Sequence, residues 1–139
     1  MSELARESLS RVDEILAEAR ASLERVSAER ALELRGRGAL LVDIRPEANR
    51  RADGEIPDAV PIERIVLEWR LDPNGEHRIP GFTQDTTVIV FCNDGYASSL
   101  AARDLQRLGL RNATDLVGGY HAWHAAGLPT RPGPSQSVT

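Results

Sequence analysis

The 139-residue sequence contains no lysine: all 17 of its basic side chains are arginine. Schiff-base chemistry and any mechanism with a catalytic lysine are thereby excluded. There is a single cysteine, Cys92, so no internal disulfide can form and the chain fits a reducing, cytoplasmic setting. No apolar run approaches the roughly 20 residues of a membrane span. Residues 1–6, polar and mixed in charge, predict no secretory leader. Aromatic residues are scarce, and the formal net charge is -4. With no basic aromatic face to offset that charge, nucleic acid is not an expected partner.

What is present is the composition of an ordinary globular domain, 41% hydrophobic and 27% charged. Residues 2–23 are predicted as a helix, because Leu9, Val12, Leu16, Ala19 and Leu23 recur at spacings of 3, 4, 3 and 4. This stripe is expected to pack on the chain's own domain; pairing with a twin in a homodimer is the alternative. Ser27 is placed as the N-cap of a second helix over 28–35, ended by Gly36 and Gly38. Residues 39–44 form an apolar run suited to a buried parallel strand. Residues 45–59 read as a loop, and 61–71 hold a short helix with Trp69 in core or edge packing. Residues 86–91 are the strongest strand, followed by a helix over 98–108 and a further strand at 113–117. A short helix surrounds Trp123. From Arg131 the Pro, Gly, Ser and Thr composition predicts a disordered tail. Alternating strands and helices predict an α/β sandwich with a parallel sheet.

Cys92 falls at the junction between the strongest strand and the next helix. Ligands of open α/β sheets bind beyond the carboxyl ends of the strands. A helix start there offers unpaired N–H groups and about half a positive charge. If the loop curls round the sulfur, the amides of residues 93–98 form an anion nest. Gly95 suits that turn, since it takes positive φ without steric cost. Such surroundings draw a thiol from about 8.5 into the range of roughly 3.5–7.5 and expose a nucleophilic thiolate. The plainer reading is a small buried hydrophobe at a strand end. Local physics alone leaves these two readings level.

Four ordered motifs over residues 26–129 carry a resemblance. Residues 86–98 place Cys-x-x-Gly-x-x-Ser between strand and helix, and Leu41-Val42-Asp43-Ile44-Arg45 is an apolar-Asp-x-Arg strand. Gly54-Glu55-Ile56-Pro57-Asp58-Ala59 follows, and Val117-Gly118-Gly119 leads to Trp123 and Gly127-Leu128-Pro129. Together they resemble the rhodanese-like sulfurtransferase family of single-domain type. The resemblance implies a three-layer α/β sandwich with a mainly parallel sheet of about five strands flanked by helices. It places the domain at 25–130, with residues 1–24 as an extra helical extension and 131–139 as the tail. It also implies a thiosulfate or persulfide sulfurtransferase, in which the cysteine becomes a persulfide and passes sulfane sulfur to a thiophilic acceptor. Cys92 takes the nucleophile position. Asn93, Asp94, Gly95, Tyr96, Ala97 and Ser98 take the substrate cradle, acting chiefly through backbone N–H groups. No cofactor or metal is implied. The expected partners are a small sulfur donor and a thiol, small or on a protein, with the chain a monomer or homodimer.

The departures from that pattern bear on the donor. Many active members carry arginine directly after the cysteine and again before the serine, where this chain has Asn93 and Ala97. Asp94 adds negative charge at a site for anions, a repulsion that at contact range reaches several kcal/mol. Tyr96 is bulky enough to cap the pocket. Thiosulfate, a dianion, is therefore expected to be a poorer donor than a persulfide. Asp43 and Arg45 either line the pocket or form an ion pair that fixes the next loop, with the ion pair favoured. The alternative function is a catalytically weak binding or redox-sensing module. A phosphatase or arsenate reductase ranks lower, since it needs arginine six positions after the cysteine and residue 98 is serine. His121 and His124, three apart, have no third ligand at metal spacing nearby.

Overall fold

The computed structural model describes residues 10–139. Ser10 caps helix α1 (Arg11–Arg20), its hydroxyl accepting from the Asp13 amide at 3.2 Å. The part of the predicted helix over 2–9, including Leu9, lies outside the described residues. Leu16 and Ala19 are buried, whereas Val12 is 61% exposed, so the stripe is narrower than its spacing predicts. The helix packs on α5 (Ala97–Arg107) of the same chain. Ser27 caps α2 (Ala28–Gly36), accepting from the Arg30 amide at 3.1 Å, as the sequence indicates.

Strands β1 (Leu40–Asp43), β2 (Val60–Pro61), β3 (Val88–Phe91) and β4 (Ala113–Asp115) form one sheet in the order β2-β1-β3-β4. Every pairing is parallel, with Val42 opposite both Val60 and Val90. The sheet thus has four strands among the described residues rather than about five. Val26 makes only a one-residue bridge to Leu116, because the Ser27 cap turns the chain into α2 at the next residue. β2 is an edge strand and ends at Pro61, which has no N–H to donate.

Alternation along the strands builds a core on each face of the sheet. Val42, Val88 and Val90 point toward Ala101 and Leu105 of α5 and toward Leu67, which opens the short helix α4 (Leu67–Arg70). Leu41, Ile89 and Phe91 point the other way, against α2 and against Tyr120 and Trp123 of α6 (Gly119–Ala125). All four residues of β3 are fully buried, each contributing about 1.5–3 kcal/mol relative to exposure. Trp123 donates from Nε1 to the Pro129 carbonyl at 2.8 Å. Trp69, expected in core or edge packing, is instead 61% exposed.

Two further departures share one cause. Residues 47–53, read as loop, are the helix α3 (Glu47–Asp53), and the tail over 131–138 lies against the domain instead of being disordered. Helix α3 escapes apolar periodicity because the one side chain it buries is Arg50. Arg50 pairs with buried Glu55 at 2.7 Å and donates to the Ser135 carbonyl at 2.8 Å and to the Ser137 hydroxyl. Ser135 returns its amide and hydroxyl to Glu55, each at 3.0 Å. The tail is held by polar partners that a composition rich in Pro, Gly and Ser does not advertise. Backbone bridges from Arg131 to Glu55 and from Val138 to Ile62 complete its docking.

Candidate active site

β3 delivers Cys92, half-buried, to the carboxyl edge of the sheet, and α5 begins five residues later. The intervening loop curls back on the sulfur: the Gly95 amide donates to Cys92 Sγ at 3.3 Å. Gly95 sits at φ +85, and a Cβ there would come within 2.8 Å of the Gly118 amide nitrogen. Only glycine allows both the turn and that approach. The other side of the loop is held by the start of α6, where the Tyr120 and His121 amides donate to the carbonyls of Cys92 and Asn93 at 2.8 and 3.1 Å. A Cβ on Gly119 would lie 2.6 Å from the Asn93 oxygen. The Gly118-Gly119 pair therefore seats α6 against the cysteine loop.

An open cavity of about 310 Å³ lies over the sulfur. Cys92, Asn93, Asp94, Tyr96 and Ala97 line it from the loop side, and Ile44, Pro46 and two arginines line it from the other. A free thiol with an amide on its sulfur, facing an open cavity at the strand ends, can act as a nucleophile and hold the group it captures.

The rhodanese-like domain family model matches residues 27–126. The chain belongs to the rhodanese-like domain family. A chloroplastic thiosulfate sulfurtransferase of Arabidopsis thaliana is 44% identical over 50 residues, 36% of this chain and 42% of that protein. The thiosulfate sulfurtransferase GlpE of Pseudomonas entomophila is 31% identical over 106 residues, covering 73% of this chain and 85% of that one. Among solved structures, a Rhodopseudomonas palustris protein of unknown function superposes with a TM-score of 0.78 at 32% identity. That match covers 89% of this chain and 97% of the other.

Within this rhodanese-like site the expected cradle residues have different jobs. Gly95 supplies the amide, and Asn93, Asp94, Tyr96 and Ala97 line the cavity. Asn93 Oδ1 is buried without a hydrogen-bond partner among the described residues. Tyr96 stands 62% exposed at the mouth. Ser98 is not a lining residue: its buried hydroxyl donates to Asp115 Oδ2 at 2.8 Å, tying the first turn of α5 to the end of β4.

Asp43 and Arg45 form a buried ion pair, as the sequence favours. Arg45 Nη2 donates to Asp43 Oδ2 at 2.8 Å and to the Gly54 carbonyl at 2.8 Å, and the guanidinium lies 4.0 Å from the centre of the Tyr120 ring. Arg45 also lines the cavity, yet its charge is spent on Asp43. Tyr120 donates its hydroxyl to the Asp53 carbonyl at 2.6 Å. Burial raises its phenol above the ordinary value, with the Arg45 charge opposing.

Two residues of the site escaped the sequence. Arg64 lines the cavity from the turn before α4, where it pairs with Glu68 at 2.7 Å and Asp104 at 3.1 Å. Its local sequence carries no motif, so only the three-dimensional fold brings it to Cys92. His121 approaches Asp94, with Nδ1 and Oδ1 2.7 Å apart. A signal existed for this one, since His121 lies inside the Gly-Gly-x-x-x-Trp motif that seats α6 on the loop.

Proposed function

We propose that this rhodanese-like protein is a sulfurtransferase that carries sulfane sulfur as a persulfide on Cys92. The single observation that carries the reading is the Gly95 amide on Sγ at the floor of an open cavity. In the first step the Cys92 thiolate attacks the outer sulfur of the donor. The new S–S bond forms as the donor's S–S bond breaks, and the leaving group departs with its electron pair as a thiolate, or as sulfite if the donor is thiosulfate. In the second step an acceptor thiolate attacks the outer sulfur and takes it away, returning Cys92 as thiolate. The loop amides hold the negative charge of the terminal sulfur between the two steps.

The lining favours a persulfide donor over thiosulfate. Asp94 brings negative charge to the cavity, and Arg64 divides its positive charge between two carboxylates. A persulfide arrives with one charge fewer than thiosulfate and asks less of such a wall. The acceptor is a thiol, small or on a partner protein, and the single free cysteine suits a reducing cytoplasm. No helix among the described residues is long and apolar enough to cross a membrane.

The Rhodopseudomonas palustris neighbour is described as a possible tyrosine phosphatase. In this chain the position such chemistry needs for arginine is Ser98, and its hydroxyl is engaged by Asp115. The discriminating experiment is intact-mass spectrometry after incubation with a low-molecular-weight persulfide, with thiosulfate and with an aryl phosphate. One added sulfur atom on Cys92, absent in Cys92→Ser, is expected with the persulfide. A bare thiol with every sulfur donor, or robust turnover of the aryl phosphate, would overturn the reading.

A further inference from the structure

We infer that Arg20 and Arg25, which both precede the family-matched residues, are positioning residues for Cys92. The inference rests on the sulfur-transfer reading of the site and assigns the segment that precedes α2 a part in it. Both guanidiniums converge on one acceptor, the Gly95 carbonyl, from Arg20 Nη2 at 2.7 Å and Arg25 Nη2 at 2.9 Å. Gly95 is thus gripped from two sides, with its N–H on the cysteine sulfur and its C=O on two cations.

The grip is built rather than incidental. Arg20 Nε donates to the Ser99 hydroxyl at 3.0 Å, and its guanidinium lies 5.6 Å from the centre of the Tyr96 ring. Arg25 donates to both oxygens of Asp115, at 2.8 and 3.2 Å. Asp115 is fully buried and also accepts from Ser98 and Ser99, at 2.8 and 2.7 Å. One carboxylate and two hydroxyls therefore set the distance at which the two cations meet the loop.

A glycine at positive φ is the residue best able to let its neighbouring peptide rotate. Rotation of the Gly95–Tyr96 peptide would swing a carbonyl oxygen toward the sulfur and replace attraction for a thiolate or persulfide with repulsion. Two charge-assisted hydrogen bonds on that carbonyl oppose the rotation. They also polarise that peptide, which strengthens the next amide of the loop, the Tyr96 N–H, as a donor. Neither residue 93 nor residue 97 is arginine in this chain. The cations stand outside the loop, at the end of α1 and just before α2, and act through its backbone.

The test uses the full chain with Arg20→Met, which leaves Asp115 its Arg25 partner. Amide exchange of the 92–99 segment, read by mass spectrometry, is expected to rise about tenfold while exchange in β1 and β3 stays unchanged. The turnover number with a low-molecular-weight persulfide is expected to fall about tenfold while KM for the donor stays within about twofold. Arg20→Lys, which keeps the charge and one donor, should recover most of both losses. Exchange of the loop unchanged in Arg20→Met overturns the inference. So does a looser loop that leaves turnover intact, or a loss that follows global unfolding and is not recovered in Arg20→Lys. If the parent protein forms no persulfide, the sulfur-transfer reading falls, while the exchange data still decide the anchor.

Discussion

Asp94, which lines the cysteine cavity, brings Oδ1 to 2.7 Å from His121 Nδ1, joining the active-site loop to helix α6. Asp53 is a more distant neighbour of the same imidazole, at 3.9 Å. The pair answers a difficulty in the sequence, a carboxylate beside a site for anions. The imidazole beside the carboxylate occupies Asp94 Oδ1 and reduces the repulsion an incoming anion meets. Both side chains are more than half exposed, which keeps the effect modest. Replacing Asp94→Asn should raise kcat/KM for thiosulfate about fivefold, with a smaller gain for a persulfide donor. His121→Ala should move thiosulfate in the opposite direction. Steady-state rates with both donors check this, and equal gains for the two donors in Asp94→Asn would discredit the charge argument.

Gly95→Ala tests the cradle itself. Alanine at φ +85 carries backbone strain of about 1–3 kcal/mol, and its Cβ would press on the Gly118 amide nitrogen at 2.8 Å and the Leu116 carbonyl at 3.1 Å. Both neighbours are backbone and cannot rotate away. The loop must shift, carrying the amide off the sulfur. Persulfide formation on Cys92 should fall by about 100-fold, while thermal unfolding remains cooperative. Single-turnover mass spectrometry supplies the rate, and wild-type kinetics in this variant would contradict the role given to the Gly95 amide.

Much of this arrangement was legible in the residue order because it is local. The strand 88–91, the cysteine at its end, the glycine three residues later and the helix beyond it are neighbours in sequence. The Ser27 cap and the buried two-faced strand β3 are legible for the same reason. Arg64, Arg20 and Arg25 are not, because the fold alone carries them to the loop from separate elements and no periodicity marks a cation whose partner is a distant carbonyl. The misread helix α3 and the misread tail have another origin. They are held by Arg50 and Glu55, and apolar patterning is blind to a buried ion pair.

Arg45→Met should be among the more damaging substitutions outside the loop. Both partners of the Asp43–Arg45 pair are 1% exposed, so removing the cation leaves a buried carboxylate and costs about 3–5 kcal/mol. The Gly54 carbonyl loses its donor as well. Urea denaturation should show a lower midpoint with an unchanged slope. The double replacement Asp43→Leu with Arg45→Met should recover part of the loss, since exchanging a whole buried pair for apolar groups is often close to neutral. A double variant less stable than Arg45→Met would refute this.

Glu55 makes the docking of the tail sensitive to acid. Burial alone pushes its carboxyl up, but the hydrogen bonds from Arg50 and from the Ser135 amide and hydroxyl outweigh burial and hold it below the ordinary value. A carboxylate lowered in the folded state stabilises the fold while ionised. That contribution is full above the unfolded value of about 4.3 and is lost as pH falls through the lower folded value. Unfolding free energy should therefore decline as pH drops below about 4.3. Glu55→Gln should flatten this part of the decline and, at neutral pH, cost about 3 kcal/mol because Arg50 is left buried without its anion. The same variant should free the segment after Arg131, so that amide exchange over residues 135–139, read by mass spectrometry, is faster than in the parent. If the variant keeps the parent's acid slope and its slow amide exchange over residues 135–139, the tail is not held through Glu55.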